Sequence, residues 1–317
     1  MSGAVADRTS AVEVAAAVLG DLAERDVPIG PLTTYRVGGA ADLFVRVRDR
    51  ADLVRLAEAR RRSGLPVLVV GRGSNLLVAD AGFRGIAVSV ADIADGITID
   101  VPTRTVVAGA AVYLPVLARR VAAAGLTGFE WAVGVPGSIG GAVRMNAGGH
   151  GSDMAACLRD VTVADLDAAP AEAVRTVPAE AVGLRFRGSA MTPATIVLEA
   201  RVQLAAGDRT RSEREIAEIV AWRRANQPGG QNAGSVFVNP VPGEVSAGEL
   251  IDGAGLRGRR VGSAAVSEKH ANFIQADEGG SADDVRALMR IVADEVHRRS
   301  GFALRSEIRL VGFEGEP

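Results

Sequence analysis

From Gly134 to Gly151 the chain reads GVPGSIGGAVRMNAGGHG, seven glycines in eighteen residues. A segment so poor in side chains contributes little to a core, because glycine gives up the most backbone freedom on ordering and buries nothing in return. Its assets are bare N–H groups and ready access to positive φ, which let the main chain wrap closely around an anion. Pro136, Asn146, Met145 and the valines set among the glycines mark a shaped loop rather than a flexible linker. A second run, Gly71-Arg72-Gly73-Ser74-Asn75, lies upstream. It is not the GxGxxG dinucleotide fingerprint, and it lacks the lysine of a phosphate-binding P-loop. Two glycine runs in one chain point to a long ligand with a diphosphate, held largely by backbone.

The 317 residues, 48% of them hydrophobic, leave room for two or three packed domains. A formal net charge of −2 argues against a general nucleic-acid binder, which carries a basic excess. A single cysteine, Cys157, allows neither an intramolecular disulfide nor a cysteine-built metal site. Three histidines at wide spacing (His150, His270, His297) do not suit a metal site either, so no metal is expected. The apolar stretch Ala11 to Leu19 is interrupted by Glu13 and preceded by Asp7, which fits neither a signal peptide nor a spanning helix. The expectation is a cytoplasmic protein without nucleic-acid or membrane partners.

Alternation over 42–48 predicts a strand, and Leu53, Val54, Leu56 and Ala57 predict a helix over 51–63 that Gly64 ends. A strand at 66–70 runs straight into GRGSN. This is the order of a βαβ unit, with the loop at a strand's carboxyl end, where α/β proteins place ligands. Strands are predicted at 86–90, 97–101, 105–109, 160–166 and 195–204, with a helix over 112–124 ending at Gly125. Ser212 and Glu215 match a capping box and predict a helix over 212–226. A short helix near 247–253, a strand near 271–275 and a helix over 282–300, capped by Ser281 and ended by Gly301, read as a separate α/β lobe. The tail 303–312 reads as a strand, and residues 1–18 as disordered or variable.

Several polar residues carry chemistry in principle. Arg187 can bind a carboxylate through two parallel hydrogen bonds, although a lone arginine is by default a solvated surface group. Ser235 follows Ala-Gly and is sterically accessible, but no Ser-His-Asp order surrounds it, and a turn or cap role competes. His270 lies in the polar cluster Ser267-Glu268-Lys269-His270-Ala271-Asn272-Phe273, where structural hydrogen bonding competes with ligand binding. Glu307 is a carboxylate in the terminal strand, at a position that alternation alone would expose. Cys157 reads as a small core residue rather than a nucleophile.

In this order the motifs resemble those of the UDP-N-acetylenolpyruvoylglucosamine reductases, the MurB-type UDP-N-acetylmuramate dehydrogenases, from about residue 20 to 313. The family-like segments are Thr33-Thr34-Tyr35-Arg36-Val37-Gly38-Gly39, Gly71 to Val78, Gly134 to Gly148, Asn232-Ala233-Gly234-Ser235-Val236-Phe237 and Ser267 to Phe273. The resemblance implies an α+β protein with the FAD-binding type 2 (vanillyl-alcohol-oxidase/PCMH-like) two-domain flavin fold plus a C-terminal α/β substrate domain. FAD-binding subdomains would span 19–92 and 93–208 with 302–317, and the substrate domain 209–301. The SEKHANF form and the short stretch between Val202 and Ser212 look like the family's shorter type, which lacks a tyrosine loop.

The implied activity is NADPH-dependent reduction of enolpyruvyl-UDP-N-acetylglucosamine to UDP-N-acetylmuramate through non-covalent FAD, by a monomer. Arg187 and Glu307 would stabilise the substrate carboxylate in its enolate form, with the Glu307 pKa raised, and Ser235 would deliver a proton. Implied FAD contacts are Tyr35, Gly71, Arg72, Gly73, Ser74, Asn75, Leu76, Gly134, Val135, Pro136, Gly137, Ser138, Gly140, Gly141, Ala142, Asn146 and Gly148. Arg223, Gln227, Asn239 and His270 are implied for the UDP-sugar. Three places depart from the family pattern: Phe186 stands for a usual tyrosine, Val238 for a frequent lysine, and the stretch Gly148-Gly149-His150-Gly151 replaces a commoner Ala-Tyr. A related FAD-dependent oxidase, a divergent paralogue with another substrate, and a non-catalytic flavin- or nucleotide-binding protein remain as alternatives. The oxidases often tether FAD through a histidine near the first glycine loop, and no histidine precedes His150.

Overall fold

The computed structural model describes residues 2–169 and 172–313. Met1 and 314–317, which fall within the N-terminal and 302–317 segments named above, lie outside the described residues. The chain divides into two units, each with its own apolar core.

The first unit takes residues 1–26, 42–72 and 84–223. Its main sheet orders Val174–Pro178, Leu158–Asp165, Thr195–Gln203, Thr105–Gly109 and Ile97–Asp100, every neighbouring pair antiparallel. The register sets Val161 opposite Ala200 and Arg201 opposite Val107. A smaller sheet aligns Val67–Val69 parallel to Phe83–Ser89, with Val67 opposite Ile86. The helix Arg50–Ser63 forms as its signals dictate: Asp49 accepts from the Asp52 amide at the N-terminus, and Gly64 closes the C-terminus at φ 69°. Leu114, Leu117 and Val121 of the helix Leu114–Ala123 join Phe129 and Leu126 in the core.

The second unit takes residues 27–41, 73–83 and 224–317. Arg260–Val261, Ala264–Val266 and Ile274–Ala276 form an antiparallel meander. The helix Ala282–Ser300 packs on these strands through Val285, Leu288, Met289, Val292 and Val296, one stripe at helical spacing. Asp80, from a remote segment, accepts the Ala282 and Asp283 amides at 2.9 and 3.2 Å and so supplements the Ser281 cap. Arg309–Val311 pairs parallel with Leu76–Val78.

Three expectations change. Residues 2–19 form a helix, Ser2–Leu19, with Ala15 and Leu19 fully buried; the run from Ala11 to Leu19 is free of glycine and proline and rich in alanine, the best helix former. The next helix after the large sheet begins at Arg209, not 212. Ser212 lies inside it and donates its hydroxyl to Glu130, while Asp208 accepts the Arg211 amide and serves the helix start. The terminal strand shortens to Arg309–Val311 and pairs with 76–78.

Candidate active site

In the first unit the two glycine runs meet. A Cβ on Gly71 would lie 2.8 Å from Ser138 Oγ, and one on Gly140 would lie 2.9 Å from the Ala110 Cβ. Gly140 therefore demands glycine for its close packing on Ala110, whereas at Gly71 only the rotatable Ser138 hydroxyl stands in the way. Gly137 accepts the Leu114 amide at 3.1 Å, and Ser138 bridges Tyr113. Ile139 and Gly140 donate their amides to Val112 and Ala110. Those two N–H groups are thus spent on the chain itself, and Gly140 acts here by its lack of a side chain. Gly141 has Ser138 Oγ as its nearest neighbour, and Ala142 is buried.

Downstream, Asn146 ends the short helix Ile139–Met145 in the left-handed region, at φ 41°. Its amide donates to Asp153 at 3.0 Å and its carbonyl oxygen accepts from the Ala155 amide at 2.9 Å. The side chain expected at the cofactor is therefore engaged in tying down the 146–155 loop. Gly148 lies so close to Asp153 that a Cβ would approach to 2.5 Å, and its carbonyl accepts Arg187 Nη1 at 3.2 Å. Arg187 also sits over the ring of Phe186, 5.4 Å from its centroid. Arg223 donates to the Gly134 carbonyl, and Val135 and Pro136 follow directly. Burial and the Arg223 charge hold the His150 imidazole below its usual range. Cys157 is buried, and burial first and Asp153 second push its thiol up to about 12, which suits a core residue rather than a nucleophile.

In the second unit, four of the sequence motifs converge. Val236 donates to the Asn272 carbonyl and accepts from the Glu307 amide, both at 2.8 Å. The antiparallel bridge of Phe237 with Ser306 sets Glu307 opposite Val236, one residue from Ser235. Asn272, buried and absent from the sequence-derived site, donates its amide to the Phe237 carbonyl at 2.8 Å and accepts the Phe237 amide at 3.0 Å. It stands in for a neighbouring strand and fixes the segment that carries Ser235. Gly234 supplies the turn before that serine at φ 78°.

Asn75 joins the same cluster. Its side-chain amide donates to the Glu307 carbonyl at 3.1 Å, and its own carbonyl accepts the Arg309 amide at 2.9 Å. Gly73, at φ 58°, packs so tightly that a Cβ would lie 2.5 Å from the Thr33 Cα. Ser74 lies between these two residues, and Leu76 begins the strand that pairs with Arg309. Tyr35 is buried in the core of this unit and donates its hydroxyl to the Ile274 carbonyl at 3.1 Å, and burial raises its phenol pKa.

His270 accepts the Asn272 amide at Nδ1, 3.2 Å, which leaves the ring proton on Nε2. Burial, then the Arg257 charge, lowers its pKa, so it offers a neutral N–H donor. Asn239 accepts the Ala247 amide at 3.1 Å, and Gln227 directly follows the helix Arg209–Asn226. Among the described residues, no cluster of three His, Cys, Asp or Glu side chains could hold a metal.

Comparison with known proteins gives these arrangements a family. Residues 41–169 match an FAD binding domain, and 226–311 match the C-terminal domain of UDP-N-acetylenolpyruvoylglucosamine reductase. The reductase of Heliobacterium modesticaldum is 43% identical over 91% of this chain and 90% of its own, and that of Synechococcus strain CC9311 is 39% identical over 92% and 94%. The crystal structure of the Thermus caldophilus enzyme superposes with a TM-score of 0.76 at 34% identity, covering 91% of this chain and 98% of that one. Likeness of this extent, through both the glycine-loop domain and the serine-bearing one, makes the chain a member of the UDP-N-acetylenolpyruvoylglucosamine reductase family, FAD-binding oxidoreductases of peptidoglycan precursor synthesis.

Proposed function

We propose that Arg187, Ser235 and Glu307 carry the reduction of the enolpyruvyl ether of UDP-N-acetylglucosamine in this protein. The observation that carries the reading is the backbone register that sets Glu307 opposite Val236, next to Ser235, with Asn75 bonded to Glu307 as well. FAD, when bound, supplies hydride from NADPH to the methylene carbon of the ether. The cradle fits such a group: in the first unit a side chain at Gly140 would collide with Ala110 and one at Gly148 with Asp153, so there main chain alone shapes the surface. Addition of hydride places negative charge on the carbon beside the substrate carboxylate. Arg187 and Glu307 stabilise that enolate, for which Glu307 must hold a proton or be tightly paired. Ser235 Oγ delivers the proton that completes the product.

Arg223, Gln227, Asn239 and His270 hold the UDP-sugar, His270 as a neutral Nε2–H donor. The chain is of the shorter type; the connection of only a few residues from the strand Thr195–Gln203 to the helix Arg209–Asn226 supports this. The remaining parts of the proposal rest on the resemblance alone: FAD is held without a covalent bond, and the protein acts as a monomer in the cytoplasm. Among the described residues no helix is long and apolar enough to cross a membrane.

The test separates the two half-reactions. Ser235→Ala is expected to let NADPH bleach the flavin as before, while product formation falls by roughly 10²–10⁴, the scale of a lost general acid. Turnover at the wild-type rate would remove Ser235 from the chemistry.

A further inference from the structure

The rim of the glycine cradle carries a stacked pair of which only Arg72, an implied FAD contact, has been given a role, and Tyr113 none. Arg72 lies with its guanidinium carbon 4.0 Å from the centroid of the Tyr113 ring and donates Nη1 to the Tyr113 hydroxyl. Both side chains are exposed. Tyr113 is in turn fixed by the backbone: it bridges Ser138, and its carbonyl accepts the Val116 and Leu117 amides that start the helix Leu114–Ala123. Ser138 is the residue whose hydroxyl a Cβ on Gly71 would strike. A flexible, exposed arginine is therefore laid against a ring whose own backbone sits on the opposite wall of the cradle. An exposed large aromatic has little hydrophobic reason to be there, and a cation–π contact is worth about a factor of two to five in holding one arginine orientation.

We propose that Tyr113 is a positioning residue that presents the Arg72 guanidinium to the diphosphate of FAD, adding one fixed side-chain charge to a site otherwise built of backbone. The proposal rests on the FAD reading of the cradle. An arginine free to swing would lose conformational entropy on meeting an anion; one already stacked and hydrogen-bonded has given most of it up beforehand.

FAD affinity, read by quenching of flavin fluorescence on the apoprotein, tests it at about 0.01 M and about 1 M salt, where the screening length is about 30 Å and 3 Å. Arg72→Ala is expected to weaken FAD about fivefold at low salt, the scale of one exposed ion pair, and to flatten the salt dependence. Tyr113→Ala should produce the same two changes, and the double variant should be no weaker than either single one. Tyr113→Phe, which keeps the ring, should retain most of the affinity and confirm that the fold tolerates the site. Unchanged salt dependence in Tyr113→Ala, or fully additive losses in the double variant, would overturn the proposal. Failure of the wild-type protein to bind FAD at either salt concentration would instead overturn the reading on which it rests.

Discussion

At the residue scale, the most telling side chain is one that touches no reacting atom. Asn272 satisfies both backbone groups of Phe237 with a single amide, 35 residues away in sequence. Each bond is buried, so removing the side chain leaves an N–H and a C=O without partners in the interior. Asn272→Ala is expected to cost about 2–6 kcal/mol of stability, measured by denaturant unfolding, since each of the two orphaned groups carries roughly 1–3 kcal/mol. A loss under about 1 kcal/mol would mean that water or a shifted strand replaces the amide. Asn75 works in the same way on the other flank of Glu307. Two asparagines, neither of them chemical actors, thus determine where the serine and the glutamate stand.

At the element scale, the helix Arg209–Asn226 is held at its start by a buried carboxylate. Glu130 accepts Ser212 Oγ at 2.5 Å, Thr127 Oγ1 at 2.7 Å and the Gly128 amide at 2.8 Å. Burial taken alone pushes the Glu130 pKa up, but the hydrogen bonds from Ser212, Thr127 and the backbone together outweigh it and hold the group below its ordinary value of 4.5. A carboxyl with a lowered folded-state pKa stabilises the fold fully above the unfolded value and loses that contribution as pH falls through the folded one. Unfolding free energy followed from neutral pH down through the carboxylate range should therefore fall less in Glu130→Gln than in the wild type. Parallel curves would show that this carboxylate does not titrate with unfolding. The same network explains what was illegible beforehand. Helices with local caps, Asp49 with Gly64 and Ser281 with Gly301, were readable because their signals lie within a turn of the ends they govern. Ser212 misled, since its hydroxyl is committed to a partner 82 residues upstream. The glycine runs and the serine motif were readable as segments. The meeting of Asn75, Glu307 and the serine motif within the second unit was not, because it depends on bonds between Asn75 and Glu307 and between Asn272 and Phe237 that no local pattern encodes.

For the whole molecule, the organising fact is that sequence order and spatial grouping diverge. GRGSN itself is split, Gly71 and Arg72 belonging to one unit and Gly73 to Asn75 to the other. Within the second unit, Arg309–Val311 supplies the parallel partner of Leu76–Val78, with Leu310 opposite Leu77. Arg309→Pro removes a ladder donor, the N–H that the Asn75 carbonyl accepts, and weakens the pairing. Amide hydrogen exchange is expected to speed up at 76–78 and 305–308 while the antiparallel sheet of the first unit keeps its protection. Equal loss of protection in both units would show that they unfold as one. That pairing also bears on synthesis. Asn75 and its partner Glu307 are 232 positions apart, so a ribosome that has finished the first glycine loop must add all of the intervening chain before Asn75 acquires this partner. Until then the loop has Thr33 and Ser138 to pack against but leaves the Asn75 amide without its Glu307 partner, so a stalled polypeptide that already contains every glycine of the cradle still lacks that last contact.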